Sequence, residues 1–192
     1  DASARMLARA RERDRLSGLV RGVAEHLPWA DGSSDCLVCV NALHHFRDKR
    51  PFFVEARRVL RRAGRVMTIG LDPHTGIDRW YIYDYFEPVL EMDRCRYPAS
   101  SRIKEWMEEV GFSDCVTREV QHVPVQLVAR AALEQGRLYR AATSQLGMLT
   151  EEQYQQGIDR IRQGIESAEA SGRTLYLTAD LRLYATIGSV QS

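Results

Sequence analysis

The chain has 192 residues, 44% of them apolar and 28% charged, with a formal net charge of +1. Such a chain can bury a real core and reads as one globular domain, and it contains no run of about 18 apolar residues that would cross a membrane. The near-zero charge gives no reason to expect an acidic partner such as nucleic acid.

The first residue is Asp1 rather than Met, which predicts a trimmed or processed start and leaves a targeting segment open. Ser3 can cap a first helix running to about Leu16, with Met6, Leu7 and Ala10 on one face. Leu19 to Ala24 reads as a short strand, and Pro28 and Asp31-Gly32 mark a turn. Cys36 to Asn41 is a continuous apolar run, expected as a parallel strand covered on both faces. Phe52, Phe53, Ala56, Val59 and Leu60 follow the spacing of an amphipathic helix, with Gly64 as its left-handed stop. Val66 to Leu71 is the next buried strand. Strand, helix and strand in this order predict a βαβ unit in a doubly wound sheet.

After Leu71 the rhythm breaks at Pro73, Gly76, Pro88 and Pro98 around an aromatic stretch, Trp80 to Phe86. It resumes with a helix capped by Ser101, with the face Ile103, Trp106, Met107 and Val110, and with Gly111 as its stop. Val116 to Val123 reads as a strand and Leu127 to about Leu146 as one helix. Thr150-x-x-Gln153 is a capping box for another helix, with the face Tyr154, Ile158, Ile161 and Ile165. Thr174 to Leu177 and Leu181 to Val190 are expected strands meeting near Ala179-Asp180.

Cys36 and Cys39 have the C-x-x-C spacing of zinc and redox sites. On a strand, however, residues three apart point to opposite faces and cannot share one ion. Both are expected to be buried structural thiols in a reducing compartment, which places the protein in the cytoplasm and predicts no metal. The segment Arg47 to Arg65 holds eight basic residues against Asp48 and Glu55. Without interleaved aromatics it reads as a solvated helix face, with a nucleic-acid stripe as the minor alternative.

The order of several blocks carries more than any one of them. These are D-A-S-A-R-M at Asp1 to Met6, A-E-H-L-P-W at Ala24 to Trp29, and D-G-S-S-D-C-L-V-C-V-N-A-L-H-H-F at Asp31 to Phe46. E-A-R-R-V-L-R-R-A-G-R-V-M-T-I-G follows at Glu55 to Gly70. The series resembles class I S-adenosylmethionine-dependent methyltransferases from the end of their second strand onward. The resemblance is good to about Gly70, fair through Met107 to Phe112, and weak from Gln126 to Ala170. It implies an α/β fold with a doubly wound, mostly parallel sheet, an antiparallel strand near one edge, and a helical lid insertion. The implied division is a core of 1–125 and 172–192, with 126–171 as the helical lid. Those helices could instead form a homodimer face.

Carried over residue by residue, the resemblance implies a cofactor site of Asp1, Ala2, Met6, Val23, Ala24, Glu25, Asn41 and Leu43. Asp1 would accept the ribose hydroxyls, although a helix-entry Asp is the plain alternative. Ala2 would lie against the adenine. Ala24 and Glu25 would read the adenine edge, although Glu25 fits a surface residue equally well. Val23 stands where the family commonly carries Asp, and a Val side chain cannot accept a hydrogen bond. Asn41 and Leu43 would line the methionine end. His44 and His45 follow as pocket-lining or structural histidines; adjacent side chains diverge, so a metal pair is not expected.

Asp72, His74, Trp80, Tyr81, Asp84 and Tyr85 sit where the family builds its substrate lid. They could line an acceptor pocket or pack on the core, and the i, i+4 pairs Trp80–Asp84 and Tyr81–Tyr85 fit packing. The implied catalytic set is His44, His45 and Tyr81. The implied activity is methyl transfer from S-adenosylmethionine to a small-molecule acceptor, without membrane or nucleic-acid partners. The alternative is a non-catalytic binding or assembly module that kept the fold.

The family's strand order is 3-2-1-4-5-7-6, and its glycine-rich loop follows the first strand. The blocks found here begin after both. Neighbouring strands lie about 4.8 Å apart, so a sheet lacking two central strands should have a gap with unpaired backbone beside Cys36 to Asn41. The natural protein is expected to carry more N-terminal sequence, and the chain taken alone is expected to be inactive and to hold no ordered cofactor.

Overall fold

The computed structural model describes residues 1–13 and 18–191. In chain order the elements are α1 (Ala4–Glu12), β1 (Ser34–Val40), a 3-10 turn (Leu43–His45), α2 (Arg50–Val59), β2 (Leu60–Gly70), β3 (Arg79–Trp80), α3 (Tyr81–Tyr85) and α4 (Val89–Arg96). They continue with α5 (Ser100–Glu109), β4 (Phe112–Val128), α6 (Ala129–Glu134), a 3-10 turn (Arg140–Ala142), α7 (Ser144–Gly147), α8 (Glu151–Ala170) and β5 (Tyr176–Val190). The chain packs as two units. The first comprises 1–70, 100–118 and 184–192, and the second comprises 71–99 and 119–183.

In the first unit β1 pairs parallel with β2, from Cys36 opposite Arg65 to Val40 opposite Ile69. β2 pairs antiparallel with β5, from Arg65 opposite Ser189 to Gly70 opposite Tyr184. β4 pairs with β5 in turn. Here Ser113 Oγ donates to the Ser189 carbonyl and the Thr117 and Thr186 hydroxyls meet at 3.1 Å, so these two strands also run in opposite directions. The order β1-β2-β5-β4 is a mixed α/β sheet with its antiparallel strand next to the parallel pair. One face is closed by α2 and α5. Phe52, Phe53 and Ala56 from α2 meet Ile103 and Met107 from α5, together with Leu60, Val66, Phe112 and Val190. Burial of such side chains contributes roughly 1.5–3 kcal/mol each.

Several expectations are corrected in this unit. Leu19 to Ala24 forms no strand; Val23 makes only an isolated bridge to His26. The segment pairs at one point, where the Asp1 nitrogen donates to the Val20 carbonyl and the Gly22 amide donates to the Asp1 carbonyl. That is the parallel-ladder pattern, one residue long, and a strand needs a longer neighbour than that. The expected end of the first helix at Leu16 lies outside the described residues. α1 is capped by Ser3 as expected, yet it has no buried residue, and Met6 is 51% exposed.

β1 is covered on one face only. Leu37 and Cys39 turn inward, while Val38 and Val40 are 53% and 54% exposed. The two cysteines do fall on opposite faces, but Cys36 is exposed rather than buried. Gly64 is not the left-handed residue after α2. Ala63 takes that conformation (φ 59°), and Gly64 is needed because a Cβ there would sit 2.8 Å from the Arg61 carbonyl oxygen. Gly111 does take the left-handed stop after α5, with φ 91°.

In the second unit β3 pairs antiparallel with the first part of β5, Arg79 with Asp180 and Trp80 with Ala179. Its core joins Ile82 and Phe86 of the aromatic segment to Ile158, Ile161 and Ile165 of α8, with Ala129, Leu138, Leu146 and Leu177. The Thr150–Gln153 capping box is formed in both directions. The helix expected from Leu127 to Leu146 is broken. β4 continues to Val128, and α6 ends in a turn where Gly136 takes φ 65°. A short turn and α7 follow. β5 is one strand from Tyr176 to Val190 rather than two.

Candidate functional site

The carboxyl end of β1 is the most specialised backbone of the first unit. Asn41 adopts φ 46°, a left-handed conformation that non-glycine residues reach at a cost, and its amide donates to the Ile69 carbonyl at 2.8 Å. Gly70, the last residue of β2, lies beside it; a Cβ there would be 3.8 Å from Asn41 Oδ1. The chain then turns through the Leu43–His45 3-10 helix, closed by His45 N–H to the Ala42 carbonyl and Phe46 N–H to the Leu43 carbonyl. Leu43 is buried with Cys39, and the half-buried Ala24 and Ala42 pack on the same cluster. The His44 and His45 rings lie 4.0 Å apart at 49°. Burial pushes the Cys39 thiol up to about 11, so it is a neutral packing group.

Asp1 and Ala2 meet the segment before Ala24. Besides the backbone pairing, Arg21 Nε donates to the Ala2 carbonyl at 3.3 Å. The Asp1 carboxylate is fixed rather than loose, since Oδ1 accepts the Ser3 amide at 2.8 Å. Val23 is exposed and Glu25 half-buried. Asp1 and Ala2 are thus brought against residues 20–22, just before Val23 and Ala24, and Ala24 shares a core with Leu43. Met6 stands out in solvent.

A clamp that sequence reasoning missed holds the 24–31 segment. Arg58 on α2 donates from Nη2 to Glu55 (2.7 Å) and the Leu27 carbonyl (3.0 Å), and from Nη1 to Asp31 (2.7 Å) and the Trp29 carbonyl (2.8 Å). Glu55 also accepts the Leu27 amide at 2.8 Å. The Arg58 hydrogen bond, with the Leu27 amide, lowers the Glu55 carboxyl to about 2. The basic helix therefore spends one of its arginines on loop placement; the i, i+3 Glu–Arg pair was the available signal.

Tyr81 belongs to the second unit and is half-buried; burial raises its phenol, which keeps it a neutral donor at ordinary pH. Trp80 packs edge-on against Tyr83 at 5.2 Å. Beneath this segment Asp93 is fully buried and accepts from Tyr83 Oη and Gln145 Nε2, both at 3.0 Å, with Arg96 Nη1 at 3.5 Å. Burial raises Asp93, Tyr83 and Tyr97, the last to about 12. Among the described residues no group of His, Cys, Asp and Glu could hold a metal, and no helix is long and apolar enough to cross a membrane.

The sheet order and the antiparallel β5 are those of the class I S-adenosylmethionine-dependent methyltransferases. Residues 1–68 match the family model of the methyltransferase domain. The chain has the class I methyltransferase fold, and the match to the domain's family model is confined to residues 1–68. It is 42% identical, over 121 residues, to the phthiotriol/phenolphthiotriol dimycocerosates methyltransferase of Mycobacterium tuberculosis, covering 61% of this chain and 43% of that protein. The chain spans about two fifths of the length of the curated relatives it matches.

Among solved structures it is similar to a protein assigned as a methyltransferase of an antibiotic biosynthesis pathway from Anabaena variabilis. That likeness has a TM-score of 0.63 at 19% identity and covers 97% of this chain and 79% of that one. It is also similar to the Haemonchus contortus phosphoethanolamine N-methyltransferase 2 solved with S-adenosyl-L-methionine. There the TM-score is 0.54 at 15% identity, over 100% of this chain and 42% of that one.

Proposed function

We propose that the full-length protein transfers a methyl group from S-adenosylmethionine to a small organic acceptor. The observation that carries this reading is the left-handed Asn41 turn at the carboxyl end of β1, next to Gly70. Doubly wound sheets bind ligands outside the carboxyl ends of their strands, and strained non-glycine backbone is concentrated at such sites. The residues fit the cofactor in part. Asp1 Oδ2 accepts no hydrogen bond among the described residues and suits ribose hydroxyls, while Asn41 and Leu43 suit the methionine end. Ala2, Val23, Ala24 and Glu25 supply backbone atoms and one carboxylate for the adenine. Met6 is proposed at the edge of the cofactor site, with its amide donating to the Ser3 hydroxyl at the start of α1.

The bound cofactor would supply an already activated sulfonium methyl. The work of the protein is then to hold the reactants in line and exclude water. His44, His45 and Tyr81 are proposed to position the acceptor, Tyr81 as a neutral donor. The helices of 126–171 are proposed as its lid. The open edge of β1 supports a further expectation: residues 1–192 alone bind cofactor poorly, because β1 has only β2 as a neighbour among the described residues.

The test is calorimetry of the full-length protein with S-adenosylhomocysteine. Saturable binding that weakens in N41A and D1N is expected. Absence of binding at millimolar ligand would replace this reading with a non-catalytic binding or assembly module.

A further inference from the structure

The segment from Val23 to His26 is a tight turn in the first unit, closed by the His26 amide donating to the Val23 carbonyl at 3.2 Å. It is pinned on both sides. Before it, the Gly22 amide donates to the Asp1 carbonyl at 3.2 Å, and a Cβ on Gly22 would be 3.2 Å from Pro28 Cδ. After it, Leu27 is held through both backbone groups. Its amide donates to Glu55 Oε2 at 2.8 Å, and its carbonyl accepts from Arg58 Nη2 at 3.0 Å. Arg58 Nη1 donates to the Trp29 carbonyl and to Asp31, and the Arg58 carbonyl accepts the Gly32 amide at 3.0 Å. The anchor is firm, because Phe52, Phe53, Ala56 and Val59 of the same helix are buried.

The turn carries groups that its own fold leaves over. The Ala24 and Glu25 amides and the Glu25 carboxylate have no hydrogen-bond partner among the described residues. Val23, exposed beside them, offers no side-chain acceptor. Adenine presents an acceptor nitrogen beside an amino donor, which matches an amide next to a carboxylate. Hypoxanthine presents an N–H beside a carbonyl at the same two positions, which sets donor against donor and acceptor against acceptor. Such a mismatch discriminates strongly only if the protein groups are held in place. A peptide free to rotate offers either its N–H or its C=O, so a loose turn would read the two bases alike.

We infer that Arg58 and Glu55 are positioning residues that fix the Val23–His26 turn and thereby set the preference for adenine as the cofactor's base. The inference rests on the methyl-transfer reading above and adds what decides the base. Neither side chain touches the cofactor in this scheme; both act through the backbone of Leu27. Arg58 ties Leu27, Trp29 and Asp31 to a single point on α2. With Val at position 23, selectivity falls to the geometry of the turn, and the clamp holds that geometry. The Glu55 carboxyl, lowered to about 2 by Arg58 and the Leu27 amide, keeps the clamp charged at neutral pH.

The experiment measures binding of S-adenosylhomocysteine and S-inosylhomocysteine to the full-length protein by calorimetry, in wild type, R58M and E55Q, with a thermal melt of each. Wild type should prefer the adenine compound by about 100-fold or more. R58M should bring that preference below about tenfold by weakening S-adenosylhomocysteine, with S-inosylhomocysteine little changed. E55Q keeps an oxygen for the Leu27 amide and leaves Arg58 its other partners, so its preference should fall by about threefold. A clamp that only supports the fold would weaken both ligands by one factor and leave their ratio as in wild type. That result in R58M, or in E55Q if R58M does not fold, overturns the proposal. A wild type that binds S-adenosylhomocysteine but prefers it by less than about tenfold overturns it too. If wild type binds neither ligand, the methyl-transfer reading fails and this inference falls with it.

Discussion

β1 and α8 are both plain in the sequence, and they meet opposite surroundings. The α8 face of Ile158, Ile161 and Ile165 is sealed, and Gly157 sits so close to the Phe86 ring that an added Cβ would be 2.1 Å from it. β1 has the stronger apolar run, yet its Val38 and Val40 stand more than half in solvent. An amphipathic period states which face is to be covered, and α8 finds that cover among neighbours in its own unit. A continuous apolar run states only that both faces suit burial. It does not supply the element that buries them.

The contrast can be broken first at Gly157. G157A should destabilise by about 3 kcal/mol, because the new methyl must displace a packed aromatic ring. Urea denaturation measures it, and F86L in the same chain should recover part of the loss. An unchanged midpoint would mean the α8 face is not sealed.

A smaller effect is expected in the first unit at Glu55. Its folded pKa of about 2 lies below the ordinary Glu value near 4.3. Its contribution is therefore complete above the unfolded value and is lost as pH falls from about 4.3 toward 2. E55Q should cost about 1–2 kcal/mol at neutral pH and remove that part of the acid sensitivity; stability followed from pH 6 to pH 2 decides it.

Ala63 offers a gain. A63G should stabilise by about 1 kcal/mol, since glycine takes the left-handed conformation without the Cβ penalty, partly offset by its unfolded-state entropy. A thermal melt shows the sign. The smallest effect belongs to β1: in residues 1–192, V38T should change stability by no more than about 0.5 kcal/mol, as for other surface positions. A loss of several times that would show that Val38 is covered in solution, and the difference between β1 and α8 would disappear.

Much of the placement of the candidate residues in the fold was legible because it depends on chain order. The blocks from Asp1 to Gly70 placed Asn41 and Leu43 at the carboxyl end of a strand, and the sheet has that order. The Arg58–Glu55 clamp was not legible beyond an i, i+3 pair, because its partners at Leu27, Trp29 and Asp31 are backbone and loop groups set by the packing of α2. The hydrogen bond between His74 Nε2 and the carbonyl of Tyr97 spans 23 residues, and no local pattern encodes that.

The sequence by itself determined what near neighbours decide. Ser3 and the Thr150–Gln153 box start helices through their own side chains, Gly111 ends one through its own backbone, and the two-residue period of β1 sends Cys36 and Cys39 to opposite faces. Tertiary structure decided whatever needs a distant partner. Among the described residues Leu19 to Ala24 meets backbone partners at single points and forms no strand, and the 127–146 helix is broken because β4 is carried through to Val128. Tertiary structure also buried Asp93 under Tyr83 and Gln145. Local hydrogen bonds and periodicity are written within a few residues; strand pairing and burial are settled only when segments far apart in the chain compete for the same surface.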